Sequence, residues 1–179
     1  MHLNRPIARS SFLMLAAAML LTAAGPLTLA GSALAAERAT VRVGSPPPSL
    51  SLPDLSGRTH SLPQEGAGSP MVIHFWNTAC HFCLDEMPAM DALYRSNSRK
   101  GLKIFAVNVG DSREQAKEFI EQTGVSYPVL LDKNRAVWVR FGLTGLPATF
   151  FIDRSGTIKH KLLGAASRET LTRYIQNLF

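Results

Sequence analysis

Two cysteines, Cys80 and Cys83, separated only by His81 and Phe82, stand where a strand pattern gives way to a helix pattern. Upstream, Met71 to Trp76 is an apolar run of strand length broken only by His74, which reads as a strand covered on both faces. Downstream, Met87, Met90 and Tyr94 recur at helical spacing, with Asp85, Glu86 and Asp91 toward the N-terminal half, where the helix dipole favours acids. A strand feeding straight into a helix limits the chain to architectures that cover a sheet with helices. Pro88 lies inside that helix and removes one backbone donor, so a bend near Leu84 to Pro88 is expected.

The rest of the chain continues the alternation. Ser49 to Leu52 and Thr59 to Leu62 flank a turn at Gly57 and read as a hairpin. Leu102 to Val109 is a second buried strand, and Ser112-Arg113-Glu114-Gln115 is a capping box opening a helix that Gly124 stops. Pro128 to Leu131 reads as a short strand and Asn134 to Phe141 as a short helix. Ala148 to Ile152 and Thr157 to Leu163 form a second hairpin around Asp153 to Gly156. A last helix starts at Ser167 and presents Leu171, Tyr174, Ile175 and Leu178 on one face. Together these predict an α/β fold, a mixed central sheet flanked by helices on both faces, with an added N-terminal β-hairpin.

Residues 1–35 read as a signal peptide. Arg5 and Arg9 supply the positive start, Phe12 to Leu21 the apolar stretch, and Ala33-Leu34-Ala35 a small-x-small cleavage site. An uncleaved anchor is the alternative, opposed by the Gly25-Pro26 break in the apolar run. Cleavage leaves residues 36–179 as one domain of 179 − 35 = 144 residues. The net charge of the whole chain is +6, but the basic residues are scattered and no nucleic-acid surface is expected.

An exported chain sits in an oxidising compartment, where cysteines often staple loops. A bridge between Cys80 and Cys83 would close almost no loop, so its gain for folding is small and chemistry explains the pair better. At a helix N-terminus, unpaired N–H groups and the dipole favour a thiolate and lower a cysteine pKa from about 8.5 toward about 3.5 to 7.5. Cys80, on the solvent side, would attack a disulfide, and Cys83, one turn further in, would resolve the mixed disulfide. Zinc needs two more Cys or His ligands, and His2, His60, His74, His81 and His160 are dispersed. Haem attachment needs a histidine where Leu84 stands. A single-cysteine peroxidase is the less economical reading of two cysteines this close. A copper chaperone using both thiols, with or without His81, is the rival from another class.

Three segments, Phe75 to Cys83, Asp85-Glu86-Met87-Pro88 and Gly145 to Phe150, make the chain from about Gly44 onward resemble the TlpA/ResA branch of the thioredoxin superfamily. The resemblance implies a thioredoxin-like fold and a thiol–disulfide oxidoreductase. It implies that Pro147 follows a cis peptide bond opposite the dithiol, the plain alternative being a strand-start proline. It implies that the backbone of Leu146 pairs with a substrate chain, and that Glu86 exchanges protons with the thiols; the alternative for Glu86 is a helix-dipole acid on a solvated face. Trp76 matches an aromatic beside the site and is a candidate substrate contact, though core packing reads equally well. Three departures stand out: Ala79 where relatives carry Trp, Phe82 where many carry Pro, and the His-Phe pair between the cysteines.

Two histidines remain open. A protonated His81 would stabilise the Cys80 thiolate, or the ring points to solvent. His74 stands where thioredoxins carry a buried acid; it would relay a proton to Cys83, or it is a satisfied strand histidine. The branch further implies a periplasmic dithiol reductant serving cytochrome c maturation or copper-site proteins, with a membrane thiol carrier as electron donor and the protein itself a monomer. An oxidase or isomerase is the alternative direction. No glycine-rich nucleotide signature is present, so neither NADPH nor flavin is expected as cofactor.

Overall fold

A computed structural model describes residues 41–179. The proposed leader and its cleavage site lie outside the described residues. Among these residues, no helix is long and apolar enough to cross a membrane.

Five strands form the main sheet: β3 (Met71–Trp76), β4 (Lys103–Val109), β5 (Val129–Asp132), β6 (Ala148–Ile152) and β7 (Ile158–Leu163), in the order β5-β4-β3-β6-β7. β3, β4 and β5 run parallel, and β6 and β7 join antiparallel, so the sheet is mixed. The parallel strands are joined by helices, as parallel crossovers require. These are α1 (His81–Asn97) between β3 and β4, and α2 (Arg113–Thr123) between β4 and β5; α3 (Ala136–Arg140) leads on to β6, and α4 (Arg168–Gln176) closes the chain. A separate two-stranded sheet, β1 (Leu50–Pro53) with β2 (Thr59–Leu62), is the expected added hairpin.

Every residue of β3 is buried, as its unbroken apolar run predicts. Its side chains divide by parity. Met71, Ile73 and Phe75 join the cluster under the β1–β2 hairpin and α3, while Val72 and Trp76 join the cluster under α1, α2 and α4. The hairpin is tied to the sheet beyond its apolar face. Asp54 forms a bridge with Leu130 of β5, and the Arg113 guanidinium donates to the carbonyls of Asp54 and Leu55.

Helix boundaries follow local chemistry. Ser112 and Gln115 form the reciprocal capping box of α2, and Gly124 ends it at φ +69°. The helix expected from Asn134 begins later, at Ala136. Arg135 takes φ +61°, and the buried Asp132 carboxylate accepts from Val137 N–H and Trp138 N–H at 3.2 and 2.8 Å, capping α3 from the preceding strand.

Candidate functional site

The turn Asn77-Thr78-Ala79 carries the chain from β3 into α1 and places Cys80 at the N-cap of that helix, in extended conformation. Cys80 N–H donates to Asn77 carbonyl at 3.2 Å and Cys83 N–H to Cys80 carbonyl at 3.0 Å, which closes the first turn. No side chain caps α1, so its positive end faces the cysteines unshielded by a local acceptor. Cys80 and Cys83 are joined in a disulfide. Cys83 has no exposed surface, whereas Cys80 is half-buried. Of the two sulfurs, only that of Cys80 is open to a second polypeptide. His81 and Phe82 both point outward, and Phe82 keeps 60% of its surface in solvent.

The turn is held from β4. Thr78 N–H donates to Asp111 Oδ2 at 2.8 Å, and Asn108 Nδ2 donates to the same oxygen at 2.7 Å. Asp111 N–H returns a bond to Asn108 Oδ1 at 3.3 Å. Neither Asn108 nor Asp111 was expected from the sequence. The available signal was an asparagine inside the apolar run Ile104 to Val109, which once buried needs a polar partner close by.

Glu86 sits one turn beyond Cys83 and is only 4% exposed. Its position excludes the solvated-face alternative. Oε1 accepts from Ala166 N–H in the turn before α4, and Oε2 has no partner among the described residues. Burial pushes the carboxyl up to about 7, with the Ala166 bond acting the other way. A carboxyl poised there changes protonation in the range where a thiol needs a proton acceptor. Tyr127 belongs to the same layer: its hydroxyl donates to Met87 carbonyl at 3.5 Å, and burial with the Asp91 and Glu86 charges pushes its phenol pKa up.

His74 is fully buried on the parity of Val72 and Trp76, in the layer that contains Cys83. Nδ1 lies 2.9 Å from Thr149 Oγ1, its neighbour across the β3–β6 ladder, and Nε2 has no partner among the described residues. The satisfied-histidine alternative therefore describes one ring nitrogen and not the other. Burial holds its pKa down at about 4, so the ring is neutral at neutral pH.

Leu146 and Pro147, at the start of β6, are joined by a cis peptide bond. Leu146 is half-buried and packs against both core clusters, the second of which contains Cys83 and is also touched by Cys80. Pro147 is buried, and its carbonyl accepts from Gly164 N–H at 2.8 Å. Trp76 corrects an expectation. A substrate contact is the reading it overturns: Trp76 has no exposed area and its ring packs on Phe119 of α2 at 4.7 Å between centroids. The helix that follows β4 covers it, so it is a core residue beneath the site. Among the described residues, no three His, Cys, Asp or Glu side chains are grouped to hold a metal ion.

Comparison with known proteins agrees with this fold. The AhpC/TSA family matches residues 43–161. The chain is similar to the thiol-disulfide oxidoreductase ResA of Geobacillus thermodenitrificans, 34% identical over 142 residues, which cover 79% of this chain and 81% of the relative. Among solved structures it is similar to a putative thiol:disulfide interchange protein DsbE from Chlorobium tepidum, with a TM-score of 0.73, 26% identity, and coverage of 78% of this chain and 99% of that one. It is also similar to dsbF of MTB, solved in mixed oxidized and reduced forms, with a TM-score of 0.67, 27% identity, and coverage of 73% and 95%.

Proposed function

Because the chain belongs to the AhpC/TSA family of thioredoxin-fold proteins, and within it is a thiol–disulfide oxidoreductase of the ResA type acting on disulfide-containing proteins, we propose that it works as an extracytoplasmic dithiol reductant through Cys80 and Cys83. The observation that carries this reading is the unequal exposure of the two sulfurs at an uncapped helix N-terminus.

In the reduced protein, the Cys80 thiolate attacks a client disulfide. A mixed disulfide forms and one client sulfur leaves as a thiolate. Cys83 then gives its proton to the Glu86 carboxylate and attacks the Cys80 sulfur. The second client thiolate leaves, and the protein disulfide seen here forms. The client gains the two electrons that the protein loses, and its two thiolates take up the proton that Glu86 received from Cys83 and the one that Cys80 released to solvent on ionising. A dithiol carrier in the membrane restores the reduced state. Leu146 offers backbone pairing to the client chain beside Pro147. His74 is a neutral polar group behind Cys83, and His81 stands at the mouth as a tuning group for the Cys80 thiolate.

Residues 1–35 act as the signal peptide, residues 36–179 form the mature domain, and a monomer in the periplasm reduces the cysteines of apocytochromes c or of copper-site proteins. Trapping tests this reading. Cys83→Ser leaves the mixed disulfide unresolved, so Cys80 should stay linked to its clients, which mass spectrometry identifies from periplasmic extracts. Finding no Cys80-linked adducts, while Cys80→Ser behaves identically, refutes it.

A further inference from the structure

Cys80 has two flanks. The sheet order places β6, with Leu146 and Pro147 at its start, on one side of β3, and β4, which leads through Asp111 into α2, on the other. On that second flank an open cleft of about 240 Å³ lies between α2 and the turn that carries Cys80. Its lining is Thr78 from the turn and Gln115, Glu118, Phe119 and Gln122 from α2. The helix residues are spaced three, one and three apart, so they form a single face.

The cleft has an apolar floor and a polar rim. Phe119 is 8% exposed and backed by Trp76. Gln115 is committed to the capping box, while Gln122 and Glu118 are exposed. Glu118 forms no ion pair among the described residues. The neighbouring cations are turned elsewhere: Lys117 pairs with Glu121 at 3.7 Å, and Arg113 reaches the hairpin carbonyls. On a chain of net charge +6, this flank of the dithiol presents an unneutralised carboxylate. An aromatic floor with a carboxylate at the rim suits a long aliphatic stem ending in a positive charge.

We propose that this cleft is a specificity subsite for the client polypeptide, receiving a Lys or Arg side chain a few residues from the reacting cysteine. The inference rests on the dithiol reading above and adds to it a second anchor. Neighbouring strands lie about 4.8 Å apart and an extended chain advances about 3.3 Å per residue. A client whose main chain pairs at Leu146 and whose sulfur meets Cys80 therefore reaches the α2 side about two or three residues beyond its cysteine. The stem lies on Phe119 and Thr78, and the charge meets Glu118.

Peptides of one sequence, each carrying a cysteine joined to thionitrobenzoate and either Lys, Gln or Glu at the second or third position on each side, test this. The second-order rate constant of the reduced protein with each, measured in a single turnover, is divided by that with neutral 4,4′-dithiodipyridine, so that changes in the dithiol itself cancel. Lys peptides should react about two- to fivefold faster than Glu peptides, the range of one exposed ion pair, and the advantage should shrink at about 0.5 M salt. Glu118→Lys should invert the order, and Gln122→Trp, which fills the cleft, should abolish it. Equal rates for all peptides, or the same preference in Glu118→Lys, overturn the subsite. Failure to reduce any disulfide, the small one included, overturns the dithiol reading and the subsite with it.

Discussion

Replacing Glu86 with Gln probes the buried carboxyl without changing its shape. The group titrates near 4.5 when unfolded and about 7 in the folded protein. The folded state therefore holds a proton that the unfolded state has lost across that interval, and stability falls as pH rises through it. The difference corresponds to a ceiling of about 3.4 kcal/mol, at roughly 1.4 kcal/mol per pH unit. The carboxyl adjoins the surface turn at Ala166 and takes an N–H bond there, so about 2 kcal/mol is the realistic loss. It is absent below pH 4.5, develops between pH 4.5 and 7, and is complete above. Glutamine keeps an acceptor for Ala166 N–H and has no charge to bury. Urea unfolding of the oxidised protein at half-unit steps from pH 4 to 9 measures this. The wild-type-minus-variant stability should fall by about 2 kcal/mol from pH 4.5 to 8. Parallel curves across that range refute the claim that Glu86 is ionised at a cost. In the reduced protein the same variant should lose the inflection near pH 7 in its rate of disulfide reduction.

His74 titrates in the opposite sense. Its folded value, about 4, lies below the ordinary 6.5, so the stability it carries is present above pH 6.5 and lost as pH falls toward 4. His74→Asn should flatten the acid side of the unfolding curve between those limits, and an unchanged acid limb would show that the ring is not buried neutral. Asp111→Ala removes the acceptor for Thr78 N–H and Asn108 Nδ2 and should cost about 1 to 3 kcal/mol in urea unfolding. It should also shift the reduction potential measured against glutathione, because the turn carrying Cys80 is released. Asp111→Asn, which keeps an acceptor, should restore most of both, and equal effects of the two variants would discount the turn-holding role.

The dithiol and its setting were legible because they are local. Strand, turn, Cys80, Cys83 and helix are consecutive in the chain, and periodicity reports on neighbours within a turn or two. The same holds for the capping box at Ser112 and the helix stop at Gly124, which formed as expected. Leu146 and Pro147 were placed opposite the cysteines only through resemblance to a family, since no local pattern connects Phe82 with Gly145. The choice between substrate contact and core packing for Trp76 was open for a related reason. Its parity with Val72 put it on the helix-covered face, but only the arrival of Phe119 from α2 settled that nothing of it reaches solvent.

By itself, then, the sequence determined the order of strands and helices, the junction that carries the cysteines, and the spacing that puts Glu86 one turn from Cys83. The tertiary structure alone decided how those groups behave. Glu86 is shifted because the turn at Ala166 and helix α4 remove its water, and Cys83 is closed off because its helix packs on the sheet. The cleft beside Thr78 exists because the β4-to-β5 crossover sets α2 against the turn before Cys80. Spacing along a chain fixes which atoms are near in sequence; desolvation, and the field at a sulfur, depend on elements that reach the site from elsewhere in the chain.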